Sequence, residues 1–279
     1  MSEEKGLVKA GLRLGMSQSG ASHALAALQK NLGATLFVRE TTGLRFTETA
    51  KRLLPHVRDI LKSLDSIRSE ASATAGLDHG SLCVSSIPSV AGTILPDLLR
   101  EYGRRYPGVE LSLYEGTDAE VVEWVQQRMA DVGFAALPVE GATGIRVISD
   151  EWLALIPAHD THAGSISLKQ LIRRRFLMSE GGCEPMIREL FANANLQIKD
   201  VLNVREMTTL KAMVAEGIGV SIIPSLAAPQ MTKGVRAVSL VPKKCREVGL
   251  ILKRPDNLSP SLRAWISLVA ERLDVDLQL

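Results

Sequence analysis

Apolar and polar positions fall into three regimes along the 279 residues. In the first, Leu7, Ala10 and Leu14 recur 3 and 4 apart, and Ala21, Leu25 and Leu28 recur 4 and 3 apart. Each set makes one face of a helix. Gly15 interrupts the two, and Ser17 is a good cap for the second because its hydroxyl can cover free backbone N–H groups. The pattern therefore predicts a helix over 7–14 and a second opening at Ser17 and Gln18. Its outward side near the start carries Ser19, Ser22 and His23. A strand–turn–strand follows over 36–46, turning at Thr41, Thr42 and Gly43.

The second regime is one long amphipathic segment, from Thr47 to about residue 75. Leu53, Val57, Ile60, Leu64, Ile67 and Ala71 are spaced 4, 3, 4, 3, 4, which is an a/d seam, and Leu54 and Leu61 widen it. A helix projecting between domains buries such a seam only on a second chain, so a dimer is expected. Pro55 removes one intrahelical hydrogen bond. Gly76, Asp78 and Gly80 predict the end of the helix and a hinge.

In the third regime, apolar strands alternate with amphipathic helices. Strands are expected at 82–87, 109–114, 132–137, 152–156, 176–178 and 220–223. Helices are expected at 96–106 and 119–129, from near 184 and 208, and at 259–273. Such alternation with Gly/Pro punctuation predicts a mostly parallel sheet covered by helices. Two such units would leave a ligand cleft between them. The domain reading is 1–46 for a winged helix-turn-helix, 47–79 for a linker helix and hinge, and 80–279 for a two-lobed α/β domain. Lobe I is assigned 80–150 and 255–279, and lobe II 151–254.

A short helix, a tight turn and a second helix with small polar side chains in its first turn suit insertion into the major groove of duplex DNA. The hairpin would be a wing touching phosphate through Arg39 and Arg45. Ser17, Gln18, Ser19, Ser22, His23, Arg39, Thr41 and Arg45 are the candidate DNA contacts, with plain capping or solvation as the alternative for each polar residue. Charge adds modest support. Net charge is only +2, but residues 1–46 hold six Lys/Arg against three Asp/Glu, leaving the rest nearly balanced.

Other chemistry is sparse. Cys83, Cys183 and Cys245 are far apart without a CxxC, and read as reduced thiols, with a redox switch at Cys183 the minor alternative. His159 and His162 lack further ligands nearby, so neither a metal nor a cofactor is expected. No nucleophile–base pair is visible. Glu216, Gly217, Ile218 and Gly219 precede a strand instead of following one, so they stop a helix and do not cradle phosphate. An enzyme is therefore not expected. No apolar run approaches the roughly 18 residues that span a bilayer, and the first residues lack an apolar signal core. A cytoplasmic location is expected.

Residues 10–50 resemble the DNA-binding domain of LysR-type transcriptional regulators. The resemblance rests on Ala10, Leu14, Ser17, Gln18, Ser22, Leu28, Leu32, Gly33, Leu36, Phe37, Arg39 and the run from Gly43 to Thr47. It continues through ILPDLLREYGRRYPGVELSLYEG (94–116), DVGFAAL (131–137), MVAEGIGVSIIPSLAA (213–228) and EVGLILKRPDNLSPSLRAWISLV (247–269). The resemblance implies a cytoplasmic homotetramer with linker helices paired in dimers. It also implies an effector domain of the type-II periplasmic-binding-protein kind that senses a small molecule. One departure stands out. Members carry a helix of about a dozen residues ahead of the position of Leu7, where this sequence has only MSEEKG. Losing that wall would leave Leu7, Leu14, Leu25 and Leu28 partly bare, at about 1.5–3 kcal/mol for each exposed side chain. Gly6 is a weak cap, and Gly20 lowers helix propensity by about 1 kcal/mol against Ala. The alternative function is thus a ligand-binding protein of the same fold that has lost DNA binding.

The candidate effector residues lie where strands end and helices begin: Ser85, Ser86, Ser89 and Thr117 in lobe I, and Glu180, Gly181, Met207 and Thr208 in lobe II. Helix N-termini and hydroxyls favour an anion, with simple N-capping as the alternative for each. Arg146 and Arg205 add positive charge and Glu180 and Glu206 oppose it, so the preference for an anionic effector is mild. Effector binding would change the closure of the two lobes, and with it the geometry of the assembly.

Overall fold

The computed structural model describes residues 10, 12, 14–40, 43–72, 80–160, 164–228, 233–253, 255 and 258–277. The chain divides into two compact units, Met1–Ser63 and Leu64–Leu279.

In the first unit the short helical turn ends where Leu14 N donates to Ala10 O and Gly15 takes φ +64°. Helix α1 (Gln18–Leu32) opens on Ser17, whose Oγ accepts from Gly20 N at 3.1 Å. It closes on Gly33 at φ +62°, whose N–H reaches back to the carbonyls of Gln29 and Lys30. The Gln29 side chain then ties helix to wing, its Oε1 accepting from Leu36 N at 2.7 Å and Phe37 N at 3.3 Å. Strands β1 (Phe37–Glu40) and β2 (Gly43–Phe46) pair antiparallel, with the rings of Phe37 and Phe46 4.7 Å apart. Thr47 starts α2 (Glu48–Ser72): its hydroxyl donates to Thr35 O and accepts from Ala50 N.

The expected inward stripe is only half realised. Ala21 is buried and Leu25 half-buried, but Leu28 is 46% exposed and Leu14 70%. The reason is size. The buried hydrophobic side chains described in this unit are Ala10, Ala21, Leu36 and Ala50, a core that admits the small end of the stripe. Leu7 and the hinge residues Gly76 and Asp78 lie outside the described residues. Along α2 the seam is exposed: Val57, Ile60, Leu61, Leu64 and Ile67 all face solvent in the single chain.

The second unit comprises, in order, β3 (Gly80–Ser86), α3 (Pro88–Ala91), α4 (Leu95–Arg105), β4 (Val109–Glu115), α5 (Asp118–Gln126), β5 (Val132–Ala136) and β6 (Thr143–Pro157). Next come β7 (Ser165–Ser167), α6 (Leu168–Leu171), β8 (Phe176–Ser179), α7 (Glu184–Asn193), β9 (Val201–Val204) and α8 (Met207–Ala215). The last elements are β10 (Ser221–Pro224), a 3-10 turn (Ser225–Ala227), β11 (Val235–Val241), β12 (Cys245–Leu252) and α9 (Pro260–Leu273). The main sheet runs β4-β3-β5-β12-β6-β11-β7, with β10 also on β6. Strands β8 and β9 join it at the Phe176–Val220 bridge.

The sheet is mixed, which corrects the mostly parallel expectation. Strand β3 is parallel to β4 and β5, β7 to β11, and β8 to β9; every pairing of β6 and of β12 is antiparallel. The 15-residue β6 serves both lobes. Its first part pairs with β12 and its last six residues pair with β10 and β11. Strand β12 also pairs with β5, from Val248 against Ala136 to Ile251 against Gly133. Residues 245–252 therefore lie in the first lobe's sheet, not in the second lobe to which 151–254 had been assigned. One core, centred on Phe134, Tyr102 and Trp265, fills the first lobe; two others, around Phe176 with Phe191 and around Leu177 with Val214, fill the second.

Candidate effector cleft and nucleic-acid interface

On the first unit, Ser17, Gln18, Ser19 and His23 are exposed, and Ser22 is half-exposed, along the first two turns of α1. Ser17 is committed to its cap, and its Oγ also shares a 2.9 Å hydrogen bond with Ser19 Oγ. Arg45 is exposed on β2, opposite Val38. The Arg39 side chain and Thr41 lie outside the described residues.

In the second unit a cavity of about 90 Å³ opens between the lobes. Ile87, Pro88, Ser89 and Asp118 come from the first lobe. Gly181 to Cys183, Met207, Pro224, Leu226 and Ala227 come from the second, and Arg246 of β12 completes the lining. Gly182 makes the lobes' close approach possible. It holds φ +106°, and a Cβ there would stand 3.4 Å from the Thr117 Cα.

Arg246 is the organising side chain. It lies opposite Asp150 in the β12–β6 ladder, and both are buried. Its Nε and Nη2 donate to Asp150 Oδ2 at 2.9 and 2.8 Å, and Nη2 also donates to Ser89 Oγ at 2.7 Å. The guanidinium carbon is 5.3 Å from the centre of the Trp152 ring. The other oxygen of Asp150 accepts from Ser225 Oγ at 2.7 Å and Leu226 N at 3.0 Å. One carboxylate thus gathers a strand of the first lobe and the turn after β10 in the second. Four donors on a buried carboxylate satisfy the condition under which a buried charge is tolerated.

The expected effector residues divide. Ser89, Gly181 and Met207 line the cavity. Ser85 and Ser86 are buried in β3 and spend their hydroxyls on the carbonyls of Val132 and Ile87. Thr117 forms a capping box with Glu120. Glu180 and Thr208 are exposed outside the lining. Arg146 is exposed and lies 3.6 Å from Glu247, and Arg205 is exposed; neither lines the cavity. The guanidinium that does is Arg246, whose charge is already matched by Asp150. Alternation held the missing signal, since Arg246 shares a strand face with Val248 and Leu250, and Asp150 with Trp152 and Ala154.

Burial pushes the Cys183 thiol up to about 11; Arg246 opposes this, and Asp118 and Asp150 add to it. Among the described residues, no group of His, Cys, Asp and Glu is arranged to hold a metal ion, and no helix is long and apolar enough to cross a membrane. His162 lies outside the described residues.

A family model described as the LysR substrate binding domain matches residues 75–274, and one for the bacterial regulatory helix-turn-helix protein, lysR family, matches residues 1–51. The probable HTH-type transcriptional regulator LrrA of Synechococcus elongatus is 31% identical, over 94% of this chain and 90% of its own length. The HTH-type transcriptional regulator YvbU of Bacillus subtilis (strain 168) is 29% identical, over 97% and 94%. Among solved structures, a full-length OxyR variant from Pseudomonas aeruginosa superposes with a TM-score of 0.78 at 22% identity, covering 98% of this chain and 91% of that one. The helix-turn-helix match takes in the first residues of the chain, which goes against the reading that DNA binding has been lost.

Proposed function

Because the chain belongs to the LysR family of transcriptional regulators, we propose that its small-molecule effector binds in the cavity between Ser89 and Met207, and that Gln18, Ser19, Ser22 and His23 read the operator while Arg45 holds phosphate. The observation that carries the effector site is the cavity itself. Both lobes line it and Arg246 completes the lining, joined through Asp150 to the Ser225–Leu226 turn. A ligand touching Pro88 and Ser89 on one side and Gly181 and Met207 on the other changes the lobes' closure, because it binds one degree of closure better than another. We further read the exposed seam of Val57, Ile60, Leu61, Leu64 and Ile67 as pairing with the same helix of a second copy. The linker-paired dimers assemble into a tetramer, and the regulator works in the cytoplasm without catalysis.

The test uses Ala227→Trp, which fills the cavity from the second lobe. A library of small metabolites is screened for ligands that shift binding of the chain to DNA upstream of its own gene. Ligands that lose their effect in Ala227→Trp, with DNA affinity kept, support the site. Ligands that keep it remove the site. For the DNA face, Gln18→Ala and His23→Ala should each weaken operator binding by about 1–3 kcal/mol and spare random-sequence DNA.

A further inference from the structure

We propose that this cleft selects a small aliphatic amine, held as its ammonium by the carboxylate of Asp118; the proposal rests on the cavity being the effector site. Two carboxylates and one guanidinium meet at the cavity. Arg246 and Asp150 cancel in charge, with Nε and Nη2 of Arg246 and both oxygens of Asp150 engaged by each other, Ser89, Ser225 and Leu226. Asp118 is left over. It stands in the first turn of α5, and its Oδ1 accepts from Ala136 N at 2.6 Å. Its Oδ2 has no hydrogen-bond partner among the described residues, although the side chain lines the cavity. The remaining wall is largely apolar: Ile87, Pro88, Met207, Pro224 and Leu226.

These features specify a ligand with a donor at one end and a hydrocarbon body. Charge-assisted bonds to a carboxylate are about twice as strong as neutral–neutral ones, and an ammonium also neutralises the carboxylate's charge. A carboxylate ligand would instead lie beside the Asp118 charge, and the one guanidinium of the lining is already matched in charge by Asp150. Size narrows the class. About 90 Å³ is far below the 300–1,000 Å³ of clefts that enclose drug-sized ligands, so the body is a short chain. The mild expectation of an anion rested on helix N-termini, hydroxyls and the charges of Arg146 and Arg205, and those two arginines lie outside the cavity.

Three probes of equal size decide the matter: n-butylammonium chloride, n-butanol and sodium n-butyrate, titrated calorimetrically into the full chain. The expected result is butylammonium binding at least about tenfold tighter than butyrate, the worth of one charge-assisted hydrogen bond. Asp118→Asn keeps the acceptor for Ala136 N and removes the charge, so it should erase that preference. Butyrate binding as tightly as butylammonium overturns the proposal, as does an ammonium preference that survives Asp118→Asn, or no butylammonium binding at millimolar concentration. Ala227→Trp separates the two levels. Butyrate binding that this variant abolishes keeps the effector cleft and sinks only the amine, whereas butylammonium binding that persists in it sinks both.

Discussion

Asp150→Asn isolates the charge at the point where β6 passes from the first lobe to the second. The asparagine oxygen can still accept from Ser225 Oγ and Leu226 N, so the loss falls on the pairing with Arg246. Both side chains are buried, Asp150 completely and Arg246 with 5% of its side chain exposed. Removing one member of such a pair leaves the other charge uncompensated, at about 3–5 kcal/mol. For a unit of this size that corresponds to a fall in melting temperature of roughly 6–20 °C. Arg246→Met should cost a similar amount, because Asp150 then keeps only neutral donors. The double variant carries no buried charge and should cost no more than either single one, a coupling of at least about 3 kcal/mol. Urea titration followed by tryptophan fluorescence reads this directly, since Trp124, Trp152 and Trp265 all lie in the α/β unit. Single variants that cost under about 1 kcal/mol, or a double variant whose cost is the sum of the singles, would refute the reasoning.

Other consequences are equally open to measurement. The Arg104 and Arg105 guanidiniums hold the Glu101 carboxyl down at about 2. A carboxyl held below its unfolded value, near 4.3, stabilises fully above that value and loses the contribution as pH falls. The α/β unit should therefore weaken between about pH 5 and pH 2, and Glu101→Gln should flatten the slope in acid denaturation. Cys183, with its thiol pushed up to about 11, holds little thiolate at neutral pH. Iodoacetamide should then label the exposed Cys245 first, and fast labelling of Cys183 would revive a redox role. Gly33→Ala meets no neighbour within 4 Å, so its cost is the left-handed backbone alone, about 1–2 kcal/mol in thermal unfolding of the winged unit.

What the pattern made legible depended on the length of each signal. Helix α1, the hairpin and α2 announce themselves through Ser17, the run of Thr41, Thr42 and Gly43, and a seam over several turns, and all appear at the expected places. In the α/β unit, β3, β5, β8 and β10 are short apolar runs flanked by turns, and were found. The return strands were not. Strand β12 alternates buried and partly exposed residues in its first half before its apolar end, and the first half of β6 is polar on one face, so neither stands out as a continuous apolar run. Missing them made the sheet look parallel and hid Arg246 and Asp150. Of the expected Ser and Thr at helix starts, Ser89 lines the cavity, and its Oγ accepts from Arg246. Ser85, Ser86 and Thr117 satisfy nearby carbonyls or cap a helix, roles that single positions in a sequence leave indistinguishable from ligand contacts.

The crossing of β6 between the lobes gives those strands a mechanical meaning. Asp150 belongs to the part of β6 that pairs with β12, and two residues later Trp152 pairs with Pro224 of β10. The carboxylate binds Arg246 from the first lobe and the Ser225–Leu226 turn of the second at the point of crossing. Motion of one lobe on the other is cheapest if this knot stays intact, because breaking it uncovers a buried charge. The approach of Gly182 to Thr117 then remains free to open or close without breaking it. A side chain at Gly182 acts on that approach twice over, through a strained backbone and through contact with Thr117. It should loosen closure while leaving the Arg246–Asp150 pair in place, which separates the energetics of folding from those of the response.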